Sequence, residues 1–240
     1  MPCILLTRPR NKSEAFAAQI AECGWTSAIW PLLKIQNRLT RPVTPEGEQS
    51  LIFTSAAAIA ALPDPAPVAA AAICVGPATA EAARRRGFSH VTNIGGDADA
   101  LVQSLSDAPA RKYLHVRGAQ SRGDVAARLT AAGRPTDDVI AYEAIATRQP
   151  PAAIDTAFQL RKIQAVALFS PRSAAIFQKC AKSGWLDGAV TAFVISAAVA
   201  EPVRDIGFDR VVVADQPDGN AMRAAICSAI KEQRAIGLNR

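Results

Sequence analysis

The chain has 240 residues, half of them hydrophobic but only 5% aromatic, and carries a net charge of +6. That length allows one large domain or two of roughly 100–150 residues, each long enough to bury a core. The basic residues are scattered and lack the aromatic interleaving of an RNA-binding module, so no nucleic-acid partner is expected. The densest basic run, Arg84-Arg85-Arg86, falls at a helix end, where the dipole favours cations anyway.

Short apolar runs alternate with helical patterns along the whole chain. Cys3–Thr7, Leu51–Thr54, Ile73–Val75, His90–Ile94, Tyr113–Val116, Val139–Tyr142, Ala165–Phe169, Ala192–Ile195 and Val211–Ala214 read as strands. Ser13–Cys23, Ala56–Leu62, Thr79–Arg86, Ala98–Leu105, Asp124–Ala132, Ser173–Ser183, Val199–Ile206 and Gly219–Arg234 read as helices. Strand–helix alternation with nearly continuous apolar strands predicts parallel sheets covered on both faces. Ser55, Pro77, Asp97, Ser121, Ser170-Pro171 and Asp218 are helix start signals. Gly24, Gly87, Gly133, Gly184 and Gly207 follow helices as C-caps. Lys34–Glu48, with Pro42 and Pro45, and Ala144–Pro151 read as crossings between domains.

The chain also repeats itself, and the copies interleave. Leu5-Leu6-Thr7-Arg8 through Gly24 matches Leu114-His115-Val116-Arg117 through Gly133 at an offset of 109. Phe53-Thr54-Ser55 matches Phe169-Ser170-Pro171 at an offset of 116, and Val75–Glu81 matches Ile195–Glu201 at an offset of 120. The order is therefore A, B, A′, B′. Two similar α/β lobes are expected, the first discontinuous (1–35 and 149–240) and the second continuous (36–148). A ligand cleft is expected between them.

Five cysteines, odd in number, far apart and without a CxxC pair, read as buried thiols of a reducing compartment. The N-terminus has no basic segment before its short apolar run, and Pro67 and Pro77 break the least charged stretch, Pro65–Ala80. A cytoplasmic protein with no membrane contact is expected.

Standard catalytic machinery is missing. The two histidines, His90 and His115, read as packed or surface strand residues, and neither has a partner at metal-ligand spacing. There is no Gly-x-Ser-x-Gly elbow. Gly118–Gly123 has the glycine spacing of a phosphate loop, but Asp124-Val125 follows in place of Lys-Ser/Thr, and no dinucleotide fingerprint occurs. No cofactor and no metal are expected. What remains is a set of strand-to-helix turns rich in hydroxyls and arginine: Thr7-Arg8, Thr54-Ser55, Gly76–Thr79, Arg117-Gly118, Ser170-Pro171-Arg172-Ser173 and Ser196. In a doubly wound sheet they share the carboxyl ends of the strands, where helix N-termini favour anions. A single Ser or Thr there reads most simply as an N-cap. Capping does not explain the adjacent arginines, least of all Arg172, which opposes a helix dipole. Tyr142, at a strand end, is either a packing aromatic or a phenol facing the cleft.

Ile4–Arg10, Leu51–Ile59, Ile73–Phe88, Tyr113–Gly133, Val139–Glu143, Ala167–Phe177 and Val194–Phe208 together resemble the uroporphyrinogen-III synthase family. The order and spacing of the whole set carries the resemblance. It implies two doubly wound lobes joined by a two-stranded β ladder, and a cofactor-free and metal-free enzyme of tetrapyrrole synthesis. The implied substrate is hydroxymethylbilane, a polyanionic linear tetrapyrrole, closed to uroporphyrinogen III with loss of water and inversion of the last pyrrole. The implied proton donor is Tyr142. Arg8, Ser55, Thr79, Arg117, Ser170, Arg172, Ser173 and Ser196 are the expected substrate contacts. A monomer is expected, with transient hand-over from the bilane-forming enzyme. The chain departs from the family pattern at Ala56-Ala57, where asparagine or arginine is frequent, and at Val199, where threonine is common. These departures admit an inactive ligand-binding or sensor protein of the same fold as the alternative. A periplasmic-type receptor is weaker, for want of a signal segment and paired cysteines.

Overall fold

The computed structural model describes residues 1–109, 111–120 and 123–237. In chain order, β1 (Cys3–Leu6) leads into α1 (Arg10–Ala21), β2 (Thr26–Ile29) and β3 (Leu33–Asn37). The middle of the chain holds β4 (Ser50–Phe53), α2 (Ala56–Ala60), β5 (Ala72–Val75), α3 (Pro77–Arg86), β6 (Val91–Ile94) and α4 (Ala98–Asp107). It continues with β7 (Tyr113–Gly118), α5 (Val125–Ala131) and β8 (Thr136–Ala146). The remainder runs α6 (Ala152–Gln159), β9 (Ile163–Leu168), α7 (Pro171–Cys180) and β10 (Thr191–Val194). It ends with α8 (Ala197–Ala200), a 3-10 turn over Glu201–Val203, β11 (Arg210–Val213) and α9 (Gly219–Gly237).

Two compact units result. Unit 1 combines Met1–Lys34 with the chain from Ala146 onward, and unit 2 is Ile35–Ile145. The sheet of unit 1 has the order β11-β10-β9-β1-β2, all parallel. The sheet of unit 2 has the order β3-β8-β7-β4-β5-β6, parallel from β8 to β6. Written in terms of the repeat, β2-β1-β9-β10-β11 and β8-β7-β4-β5-β6 are the same arrangement. A pairs with B′, and A′ pairs with B.

Side-chain alternation explains why both sheets are covered twice. Leu5 faces the core built with α6, α7 and α8, whereas Ile4 and Leu6 face the core built with α1 and α9. In unit 2, Leu51, Phe53, Leu114 and Val116 pack toward α2 and α3, and Ile52, Ile73 and Tyr113 toward α4 and α5. All four residues of β4 are buried, as expected of a parallel strand with both faces covered. α3 shows how local chemistry sets bounds. Pro77 opens it, Arg84, Arg85 and Arg86 occupy its last turn, and Gly87 closes it at φ 103°, a left-handed conformation that glycine adopts without strain.

Several elements differ from the sequence reading. β3 occupies the start of the Lys34–Glu48 crossing, and β8 runs on to Ala146. Arg38 N–H donates to Ala141 O (2.8 Å) and Thr147 N–H to Leu32 O (3.0 Å). These bonds run in opposite order along the two segments, so the pair is antiparallel and extends the edge of the unit 2 sheet. Four of the five β3 residues are exposed, which removes the apolar contrast that marks a strand. α6 follows Pro150-Pro151, where only a connector was expected; Ile154 and Phe158, four residues apart, anchor it. The helix expected over Val199–Ile206 stops after four residues and becomes a 3-10 turn at Pro202, which cannot continue an α-helical ladder. Ser121, read as a helix start, lies outside the described residues.

The cysteines require a correction. Cys23 and Cys227 form a disulfide, with Cα atoms 5.5 Å apart at a sequence separation of 204. Cys3, Cys74 and Cys180 are free. Packing of α9 against α1 makes the pair: Trp25 Nε1 donates to Ile226 O (3.0 Å), beside both cysteines. Sequence distance concealed this proximity, so the inference of unpaired thiols in a reducing compartment does not hold for these two.

Candidate functional site

In each sheet the A-type and B-type halves meet at one pair of neighbouring strands, β1 and β9 in unit 1 and β7 and β4 in unit 2. The chain proceeds outward in both directions from this pair. Open α/β sheets bind ligands outside the carboxyl ends of the strands at such a switch point.

In unit 1, Thr7 and Arg8 follow β1. Thr7 is buried and donates its hydroxyl to Ala167 O (2.7 Å), so it braces the switch point. The Arg8 guanidinium carbon lies 4.5 Å from the centroid of the Phe169 ring, and burial holds its pKa below the usual arginine value. A guanidinium over a ring face is favoured, which orients Arg8 along the strand ends. A cavity of about 340 Å³ beside it also takes in Lys12, Phe16 and Asn220. Across the switch point, Ser170 caps α7: its Oγ accepts from Ser173 N–H (3.1 Å) and lies 2.8 Å from Ser173 Oγ. Ser173 is buried within that cap, whereas Arg172 is exposed on the first turn of α7. Ser196 stands at the N-cap of α8 but makes no side-chain capping bond.

In unit 2, Ser55 caps α2, accepting from Ala57 N–H (3.2 Å). Thr79 falls inside α3 rather than in the preceding turn and is only 6% exposed, which leaves it little surface for a ligand. The Arg117 guanidinium is 3.0 Å from Asp138 Oδ2 and donates to Gly118 O (3.2 Å). Asp138 Oδ1 lies 3.1 Å from His115 Nδ1, and His115 Nε2 lies 3.5 Å from Thr54 Oγ1. His115 is 1% exposed. Burial pushes its pKa below the ordinary histidine value, Asp138 opposes that shift, and Arg117 adds to it.

Tyr142 sits where β8 departs from regular pairing. Along β7 and β8 the partners run His115 with Asp138 and Arg117 with Ile140, then skip to Gly118 with Tyr142. This bulge re-aims the side chain. Ala141 and Tyr142 both meet the α2–α3 core, although alternation alone would send one of them to the opposite face. The strand end is held by Ala119 N–H donating to Tyr142 O (2.8 Å), by the Arg38–Glu143 ion pair, and by Ala144 N–H donating to Gln120 Oε1 (3.2 Å). The phenol ring lies directly on Gly118. A Cβ there would fall 2.7 Å from Tyr142 Cζ and 2.9 Å from its hydroxyl oxygen. The Gly118 backbone is outside the left-handed region, so it is the tyrosine ring that requires glycine.

The structure therefore gathers Ser55, Arg117 and Tyr142 at one switch point, and Arg8, Ser170 and Arg172 at the other. Thr79 and Ser173 lie buried in the first turns of α3 and α7. Sequence reasoning took Gly118 as a turn glycine, did not single out Asp138, and set His115 aside as a packed or surface residue. The repeat held the signal for the last two, because their counterparts in the first copy are apolar. Among the described residues no group of three His, Cys, Asp or Glu side chains could hold a metal ion, and no helix is long and apolar enough to cross a membrane. A cavity of about 730 Å³ lined by Pro45, Gln49, Pro67 and Lys112 lies at the amino ends of β4 and β7, the wrong end of a parallel sheet for ligand chemistry.

A pair of doubly wound sheets, each with hydroxyls and a guanidinium group at its switch point, defines a class of α/β proteins whose candidate ligand sites lie at the carboxyl ends of the strands. The family profile of uroporphyrinogen-III synthase HemD matches residues 14–224, and the chain belongs to that family, the cyclising lyases of tetrapyrrole biosynthesis. Among solved structures, uroporphyrinogen-III synthetase from Helicobacter pylori is 16% identical, with a TM-score of 0.65 over 95% of this chain and all of that one. A mutant uroporphyrinogen III synthase from Thermus thermophilus is 16% identical, with a TM-score of 0.50 over 93% of this chain and 97% of that one. At that identity the two structures speak for the fold.

Proposed function

We propose that this protein cyclises hydroxymethylbilane to uroporphyrinogen III, with loss of water and inversion of the terminal pyrrole. The family match over residues 14–224 carries this reading. The chemistry suits a site without a strong nucleophile. The pyrrole nitrogen supplies the electrons that expel the hydroxyl, and a phenol, which keeps its proton at neutral pH, can protonate the departing oxygen. Tyr142, aimed by the bulge and seated on Gly118, is our candidate for that proton. The bilane can also close unaided to the uninverted isomer, so the enzyme's main contribution is to hold a flexible chain in the geometry that forms the other bond. Arg8, Arg117 and Arg172, with Ser55, Ser170 and Ser196, are the proposed carboxylate contacts. Each exposed pair is worth only about 0–1 kcal/mol, so binding is distributed over many of them. We further propose a monomer acting in the cytoplasm, receiving its substrate from the bilane-forming enzyme.

The test is to supply freshly made hydroxymethylbilane, oxidise the product and separate the isomers. Type III in excess of the unaided reaction is expected. Type I alone, at the rate of a protein-free control, would refute the reading and favour a binding protein of the same fold.

A further inference from the structure

The chain Thr54–His115–Asp138–Arg117 spans the end of β4, β7 and β8 on one face of the unit 2 sheet, and the internal repeat supplies its control. Strand register pairs Leu6 with Ile29 in unit 1 and His115 with Asp138 in unit 2, at equivalent places in the A and A′ copies. The N-caps Ser55 and Ser170 are likewise equivalent, a spacing one residue shorter than the sequence match implied, which puts Phe169 at the place of Thr54. Unit 1 fills the same positions with Leu6, Ile29 and Phe169. The fold therefore does not need a histidine and a carboxylate here. Burying them is costly unless they are hydrogen-bonded, and the bonds they make end at a half-exposed hydroxyl on the switch point.

Proton positions follow from the partners. The Asp138 carboxylate, held by Arg117, only accepts, so His115 Nδ1 carries the hydrogen directed at it. A neutral imidazole has one N–H, which leaves Nε2 with a lone pair. The Thr54 hydroxyl must then donate to Nε2, and its oxygen presents only lone pairs elsewhere. Such an oxygen repels a carboxylate and accepts from an N–H. On the function proposed above, the N–H donors of the substrate are its pyrroles. We propose that Thr54 binds a pyrrole N–H of the bilane as a hydrogen-bond acceptor, with His115 and Asp138 as the positioning residues that fix its hydroxyl.

Protonating His115 reverses the arrangement. Nε2–H then points at Thr54, whose own hydrogen turns outward and favours a carboxylate instead. The charged groups acting on His115 are Asp138 from β8 and Arg117 from β7. From the helices on the same face, Asp97 caps α4, and Asp99 of α4 pairs with Arg128 of α5. The acceptor role therefore predicts that KM rises as pH falls through the His115 pKa, which burial holds below the ordinary histidine value. A carboxylate-donor role for Thr54 predicts the opposite sign.

The experiment measures kcat and KM for isomer III formation between pH 5.5 and 8 in wild type, Thr54→Val, Thr54→Ser and His115→Leu. The last variant copies unit 1 and leaves Asp138 paired with Arg117. Loss of one hydrogen bond of roughly 0.5–1.5 kcal/mol corresponds to a KM raised about twofold to thirteenfold at pH 7.5 in Thr54→Val and His115→Leu. In both, kcat is expected to stay within about twofold and the acid-side rise in KM to disappear; Thr54→Ser is expected to behave as wild type. Independently, histidine ¹⁵N NMR should show His115 with Nδ1 protonated and Nε2 bare at pH 7.5. The exposed His90 is assigned by His90→Gln. An Nε2–H tautomer, a KM that falls in acid, or a Thr54→Val variant with wild-type KM overturns the proposal. If these occur while isomer III is still made, the acceptor role falls and the synthase reading stands; if isomer III is never made, both fall.

Discussion

Replacing Gly118 with alanine tests whether the seat of the Tyr142 ring matters. The added Cβ would lie 2.7 Å from Cζ, 2.9 Å from the hydroxyl oxygen and 3.0 Å from Cε2. Non-bonded carbons rest at roughly 3.5–4.0 Å, so the ring must retreat by about 1 Å. Because the Gly118 backbone is outside the left-handed region, alanine adds no strain of its own. Overpacking of this kind costs about 1–3 kcal/mol where neighbours cannot move. Tyr142 is only half-buried and can swing outward, so the low end is expected, near 1 kcal/mol. Catalysis should respond much more, since a misplacement of about 1 Å can cost on the order of 100-fold in rate. The assay pairs urea denaturation with single-turnover formation of isomer III. The expected result is a small shift in midpoint, a kcat lowered roughly 100-fold and a KM within a few-fold of wild type. A Gly118→Ala enzyme with wild-type kcat would refute the claim that the ring's place on Gly118 serves the reaction.

Tyr142→Phe keeps the ring and removes the acid. A loss of about 10²- to 10⁴-fold in kcat, the ordinary reach of general acid catalysis, should come with an almost unchanged thermal midpoint. An unchanged rate would return Tyr142 to a packing role. The Cys23–Cys227 bridge closes a loop of 204 residues, and removing such a bridge costs roughly 2–5 kcal/mol. Urea midpoints should fall with a reductant, and Cys23→Ser with Cys227→Ser should abolish that dependence; equal midpoints with and without reductant would contradict it. Burial pushes the Cys74 thiol up to about 11. Its thiolate is therefore scarce at pH 8, and alkylation followed by mass spectrometry should find it unmodified until the pH approaches that value. Because the folded pKa is raised, the associated stability is present below the unfolded thiol's pKa and is lost as pH rises through the folded one. Lys182 and Trp185 hold the Asp155 carboxyl below its usual range. That contribution is present above the unfolded carboxyl's pKa and is lost as pH falls through the lower folded value. An acid titration of Asp155→Asn should therefore lose less stability than wild type below about pH 4.

Much of the fold was legible because buried parallel strands announce themselves: Ile4-Leu5-Leu6 and Leu51-Ile52-Phe53 are apolar on both faces and bounded by caps. β3 was not legible, since Leu33–Asn37 is an exposed edge whose partner is another connector. α6 was hidden by Pro150-Pro151, which signalled a turn without showing that Pro151 is also a helix start. The turns of the candidate site were legible as a set, but their orientations were not. Thr79 and Ser173 look like Ser55 in sequence, yet they lie buried in the first turns of α3 and α7. His115 illustrates the deeper limit. A single histidine in a strand reads as packing, and only its alignment with Leu6 across the repeat shows that packing did not need it.

The discontinuity of unit 1 has a consequence for the order in which the protein is made. β1 is a central strand, and its neighbour β9 begins at Ile163. β1 therefore waits for one of its two partners while all of unit 2 is synthesised. At about 5–20 residues per second, that wait is on the order of 10 s. Ile4, Leu5 and Leu6, fully buried at the end, are meanwhile without half of their final cover. Unit 2, contiguous from Ile35 to Ile145, has all its strands before β9 is made. A chain truncated after residue 150 and released should show a protease-resistant unit 2 attached to an N-terminal segment that is still open to cleavage.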